Sequence, residues 1–173
     1  MKKKLVIAIV CAALLTCFTV LGCFFIHPRS NQPVIIIENL QFGMSPSDVE
    51  ALLGSPNEAE NSIHSSKISV YYYDIQVDGL ETQLRLGFIR VGLRKQLYQV
   101  DASICMTENS SGIQSDLRQQ IYDAYSEQEG FFSNSRTLGV RKGAYGTSFS
   151  IEQSGTYIRV SGYCDEYEKL FFE

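Results

Sequence analysis

The sequence predicts an α+β fold in which short helices pack on an antiparallel β-meander, set behind an N-terminal membrane segment. Three observations carry that expectation. Residues 42–56 hold a complete start and stop signal for one short helix. Runs of β-branched and aromatic residues follow it, separated by turn dipeptides. Ahead of both, 22 residues from Leu5 to Ile26 carry no charge.

At roughly 1.5 Å per residue that uncharged run is long enough for a hydrocarbon layer of roughly 30 Å. Lys2, Lys3 and Lys4 precede it and only Arg29 follows closely, so the positive-inside bias leaves the N-terminus in the cytoplasm and the domain on the extracytoplasmic side. Residues 1–26 are read as a signal-anchor or a lipoprotein signal segment. Val20-Leu21-Gly22-Cys23 resembles a bacterial lipobox, which makes Cys23 a lipidation candidate. The length of the run favours a retained helix, since a cleaved signal has an apolar region of about 7 to 15 residues. Residues 27–38 are read as a linker, polar and bracketed by Pro28 and Pro33 at its start. Residues 39–173 then form one domain, with candidate halves at 39–107 and 112–164.

Within the domain, Ser45 is placed to cap a helix, Pro46 fits its first position, and Asp48 completes a capping box. Met44 and Val49 occupy the positions of a hydrophobic staple. Val49, Leu52 and Leu53 form the stripe expected to face a core, Gly54 the left-handed stop, and Pro56 the block beyond it. Two turns are unstable in isolation, so this helix requires a partner layer.

The strands come next. Ile68–Val77 is rich in β-branched and aromatic residues, and Asp78-Gly79 signals a type I′ hairpin turn. The returning strand alternates Leu80, Thr82, Leu84, Leu86 and Phe88 against Glu81, Gln83, Arg85 and Gly87. After a turn around Gly92 to Lys95, a third strand over about 96–105 sets Tyr98, Val100, Ala102 and Ile104 against Gln99, Asp101 and Ser103.

A polar loop at 108–112 leads to a second helix expected over 115–129, closed by Gly130. Strands near 135–141, 145–153 and 156–164 follow. Helix and three strands thus recur as two tandem α-β-β-β units. A faint echo accompanies the recurrence: Tyr98 to Cys105 and Tyr157 to Cys164 share Tyr and Cys at one spacing. Residues 165–173 are either a helical turn or a tail.

Leu40, Gly43-Met44-Ser45, Asp48-Val49, Leu52-Leu53-Gly54 and Pro56, with Tyr71-Tyr72-Tyr73 behind them, resemble the opening signature of small BamE-like (SmpA/OmlA) lipoproteins. The same signature marks each half of the β-lactamase-inhibitor-protein-like fold. The resemblance covers residues 40 to about 105; the second half shares only the order of elements. It implies a non-catalytic extracytoplasmic module of the cell envelope that binds another envelope or secreted protein. The alternative it implies is an inhibitor of a secreted hydrolase such as a β-lactamase.

Charge and motifs bear on which functions to expect. All 19 acidic side chains lie beyond Cys23 while three of the 15 basic ones precede it, leaving that portion at 12 minus 19, or −7. No basic footprint for nucleic acid is present. No phosphate-cradling glycine loop, nucleophile elbow or zinc-protease helix occurs, and His27 and His64 do not make a zinc cluster. Asp165, Glu166, Glu168 and Glu173 lack the spacing of a calcium loop. No catalytic, cofactor or metal residue is therefore assigned. A Cys105, His64 and Asp101 nucleophile arrangement has no local signature behind it.

Cys105 and Cys164 both end predicted strands on an oxidising side, so a bridge worth about 4 kcal/mol and two free thiols stay open as alternatives. Cys11 and Cys17 lie in the apolar run and read as small hydrophobes. Asn109-Ser110-Ser111 is a glycosylation sequon if the source is eukaryotic. The interaction candidates are Tyr71, Tyr72 and Tyr73, which suit a recognition surface or strand packing, and the cations Arg90, Arg94 and Lys95 beside Arg85.

Overall fold

The computed structural model describes residues 33–34, 36–62, 65–106, 112–142 and 145–167. The expected membrane segment with Cys11, Cys17 and Cys23, the linker up to Gln32, His64, the sequon and residues 168–173 lie outside these. Among the described residues no helix is long and apolar enough to cross a membrane.

The first helix, α1 (Pro46–Leu53), begins as its sequence dictates. Ser45 Oγ accepts from the Asp48 backbone N–H, and the Asp48 carboxylate accepts from the Ser45 N–H at 3.0 Å. The Ser45 hydroxyl also donates to Asp48 Oδ2 at 2.7 Å, and this bond first, then the one from the Ser45 N–H, holds the Asp48 pKa below its ordinary value. Two expectations need correction. Leu52 is exposed, so only Val49 and, in part, Leu53 reach the core. Gly54 has the expected positive φ of 83° but ψ of −174°, an extended exit that only glycine takes freely, rather than a left-handed cap.

Four antiparallel strands follow: β1 (Glu58–Asn61), β2 (Ile68–Val77), β3 (Leu80–Val91) and β4 (Arg94–Cys105). Asp78 and Gly79 both have φ near the left-handed region, at 52° and 79°, as the expected type I′ turn requires. The β3–β4 turn is tighter than expected, with only Gly92 and Leu93 between the paired residues Val91 and Arg94.

The second helix, α2 (Ile113–Tyr125), starts two residues before the expected position and stops four before it. Gly112, at φ 106°, precedes it without a side-chain cap, and Gly130 belongs to the turn into the next strand instead of closing the helix. Then come β5 (Phe131–Ser133), β6 (Thr137–Lys142), β7 (Tyr145–Ser154) and β8 (Tyr157–Cys164).

All eight strands form one antiparallel sheet in the order β1-β2-β3-β4-β8-β7-β6-β5. Each helix is thus followed by four strands, not three. The two sets meet where the last strand of one, β4, pairs with the last strand of the other, β8, from Gln99↔Tyr163 to Cys105↔Tyr157.

One face of the sheet is sealed. Leu84, Leu86 and Phe88 of β3 and Val100, Ala102 and Ile104 of β4 bury their side chains together with Ile158 and Val160 of β8 and Phe149 and Ile151 of β7. Val49 of α1, Leu117, Ile121 and Tyr125 of α2, and Val34, Ile36, Leu40 and Phe42 ahead of α1 close the layer from the other side. α1 packs beside β4, and α2 against β6 and β7.

Candidate functional site

The alternation that buries one set of strand residues turns the other set outward. Following the register across the sheet, Tyr72 of β2 stands opposite Arg85 of β3, Arg85 opposite Asp101 of β4, Asp101 opposite Ser161 of β8, and Ser161 opposite Ser150 of β7. The next row runs Asp74, Gln83, Ser103, Arg159, with Glu152 beyond. These residues form an open polar face, and Tyr72, Arg85, Asp101, Ser103, Arg159 and Ser161 border one shallow depression on it.

Arg85 and Asp101 organise its centre. Arg85 Nη1 donates to Asp101 Oδ2 at 2.8 Å, and Gln99 Nε2 donates to the same oxygen at 2.8 Å. Burial acts against the guanidinium charge, but hydrogen bonds to Tyr72 and Asp101 outweigh it and raise the Arg85 pKa. Tyr72 donates to Glu60 Oε1 at 2.7 Å, which raises the phenol pKa. Asn57 Nδ2 donates to Asp74 Oδ2 at 2.6 Å. The central side chains are half-buried and oriented by one another, whereas Arg159 and Glu152 are exposed.

A β-bulge at Gly87/Phe88 places Phe88 opposite Leu97 and Gly87 opposite Gln99. Tyr98 is therefore the extra residue of β4 at the bulge, and the expected strict alternation over 98–104 breaks there. Its ring stands edge-on to Tyr163 at 5.5 Å, and a Cβ on Gly87 would meet Tyr98 Cε1 at 3.1 Å. Glycine at 87 makes room for that ring.

The tyrosine cluster is split by the pleat. Only Tyr72 reaches the open face. Tyr71 is half-buried with its ring 5.0 Å from Phe88, and Tyr73 is 3% exposed, so both pack on the sealed side of the sheet. Arg90 and Arg94 are exposed at the β3–β4 hairpin, and Lys95 donates to Ser69 Oγ at 2.6 Å.

Of the two alternatives left open for Cys105 and Cys164, the structure forms no disulfide between them. Cys105 pairs with Tyr157, seven residues from Cys164 along β8, or about 24 Å at strand rise. A disulfide needs Cα atoms about 4.4 to 6.8 Å apart. The nucleophile arrangement fails similarly, since Asp101 lies four residues from Cys105 on one strand, about 14 Å away, and is held by Arg85. Among the described residues no group of three or more His, Cys, Asp and Glu side chains could hold a metal ion.

Gln99, Ser103, Ser150, Arg159 and Ser161 were not singled out by sequence. Their signal was there, as the polar partners in each alternating strand, but only the register shows that they fall in rows. The fold and face define a two-layer α+β protein with one sealed and one open sheet surface. Comparison of the chain with protein-family models, with curated proteins and with solved structures returned no match.

Proposed function

We propose that this chain is a membrane-tethered, extracytoplasmic, non-catalytic module of the cell envelope that holds another protein against the open face of its sheet. The observation that carries the reading is the Tyr72–Arg85–Asp101–Ser161–Ser150 row, which crosses five strands on the face away from the two described helices. Tyr72, Arg85 and Asp101 in it are already oriented by hydrogen bonds, so little of their side-chain entropy is lost when a partner seats. The resemblance of residues 40–105 to BamE-like lipoproteins supports the same class.

A second reading, inhibition of a secreted hydrolase, is favoured by one observation. Helix and four strands occur twice and join through their last strands, the kind of tandem arrangement that the β-lactamase-inhibitor-protein-like fold implies.

Capture of partners from detergent-solubilised membranes by the full chain tests the first reading. Ser161→Trp, which fills the centre of the face, is expected to abolish capture while leaving the thermal midpoint unchanged; capture that survives this change removes the face from the proposal. Retained β-lactamase activity at micromolar chain removes the commonest form of the second.

A further inference from the structure

The β3–β4 hairpin carries a feature that the open face does not use. Its two-residue turn puts Leu93 at the tip, 99% exposed, where the side chain adds nothing to the core. Gly92 supplies the positive φ of 61°, so residue 93 itself is under no conformational demand. Around the leucine stand Arg90 and Arg94, both exposed, and Lys95. None of the three forms an ion pair among the described residues. The acids sharing their depressions are Glu50 and Asp48, and Asp48 is engaged in the α1 cap.

The place where the chain enters the domain is close by. Pro33 bridges to Gln41, and the backbones of Gly43 and Met44 exchange hydrogen bonds with Leu97, three residues from Arg94. Gln41 through Asp48 border one depression with Arg94, Lys95 and Gln96. The seven residues from His27 to Pro33 reach at most about 25 Å. A domain tethered so briefly at this corner holds its hairpin tip within reach of the bilayer that carries the tether.

We propose that the β3–β4 tip is a membrane-surface anchor, in which Leu93 enters the headgroup boundary of an anionic bilayer while Arg90, Arg94 and Lys95 meet its lipid phosphates. The inference rests on the reading of residues 1–26 as a membrane tether. Each cation near such a surface strengthens association roughly fivefold. The acid-rich remainder of the domain is repelled by the same surface, so the tip sets which side faces the lipid. Arg90 and Lys95 lie on the α1 side, which keeps the open face free for a partner.

The chain contains no tryptophan, so Leu93→Trp gives a single reporter at a position too exposed to affect folding. The full-length variant is reconstituted with vesicles of phosphatidylglycerol or of phosphatidylcholine, each also made with acyl chains brominated. Flotation reports the tether and quenching of the indole reports the tip. The expected result is flotation with both lipids and a blue-shifted, bromine-quenched indole on phosphatidylglycerol alone. Adding Arg90→Glu and Arg94→Glu is expected to lower the tip-insertion equilibrium roughly 30-fold or more without changing flotation. An unquenched indole on a chain that floats overturns the anchor and leaves the tether standing. Equal quenching on both lipids, untouched by charge reversal, also overturns it. A chain that floats with neither lipid overturns tether and anchor together.

Discussion

Tyr125 donates its hydroxyl to the carbonyl oxygen of Pro33 at 2.6 Å, a bond from the end of α2 to the start of the described domain 92 residues earlier. The ring is fully buried and tilted against Phe149 at 5.5 Å. Tyr125→Phe keeps that packing and strips the carbonyl of its donor. It is expected to cost about 1–2 kcal/mol, measured as a lower urea midpoint, with faster amide exchange over Val34 to Leu40.

Tyr73 provides the opposite case. Its hydroxyl is buried and finds no hydrogen-bond partner among the described residues, and burial pushes the phenol pKa up to about 12. Tyr73→Phe removes a desolvated group that returns nothing, so stability is expected to stay level or rise by up to about 1 kcal/mol. The pH dependence follows in sign. The folded phenol keeps a proton that the unfolded chain releases near 10, so its contribution is whole below pH 10 and is lost as pH climbs towards about 12. Urea midpoints from pH 9 to 12 should fall less steeply for Tyr73→Phe than for the parent chain.

Gly162 sits at the β4–β8 seam opposite Val100. A Cβ there would lie 2.8 Å from Phe149 Cε1 and 3.4 Å from Phe42 Cζ. Phe149 has little room to yield, held between Phe42 at 6.1 Å and Tyr125 at 5.5 Å. Gly162→Ala is expected to destabilise by about 1–3 kcal/mol, seen as a drop in Tm. An unchanged Tm would mean that the aromatic cluster is looser than these distances require.

At α1 the cap is testable by acid. The Asp48 carboxyl, depressed by Ser45, adds stability that is complete above its ordinary value of 3.8 and disappears as pH falls through its lower folded value. Ser45→Ala is expected to cost about 1 kcal/mol at neutral pH and to flatten this acid limb of the stability profile.

The thiols predict a simple mass experiment. Peptide-level alkylation of the unfolded chain without reductant should modify both Cys105 and Cys164. In the folded chain the half-buried Cys105 should react well ahead of the buried Cys164. A peptide pair linking the two would contradict the β4–β8 register.

Much of this architecture is legible in the residues. The Ser45–Asp48 box, the Asp78-Gly79 turn and the alternation of β3 are local codes, and each appears where its chemistry places it. What escapes is non-local or too short. β1 is Glu-Ala-Glu-Asn, fully exposed at a sheet edge, and β5 has three residues, so neither buries enough to leave a pattern. The bulge that displaces Tyr98 depends on how β3 and β4 register, which neither strand encodes alone. Leu52 fits a helical stripe by spacing, yet it is exposed while Val49 and, in part, Leu53 face the core. The open face was the least legible feature, because Arg85, Asp101, Ser161 and Ser150 come from four strands and become neighbours only through the β3–β4, β4–β8 and β7–β8 pairings.

The joint between β4 and β8 also dictates the order of events when the molecule forms. Among the described strands β8 is synthesised last, yet it fills a central place in the sheet. Until it arrives, β4 presents an unsatisfied backbone edge with Val100, Ala102 and Ile104 beside it, a template for any passing extended chain. Nucleation in either half cannot complete the protein, and a truncation ahead of Tyr157 leaves a fragment prone to couple with its own twin along that edge.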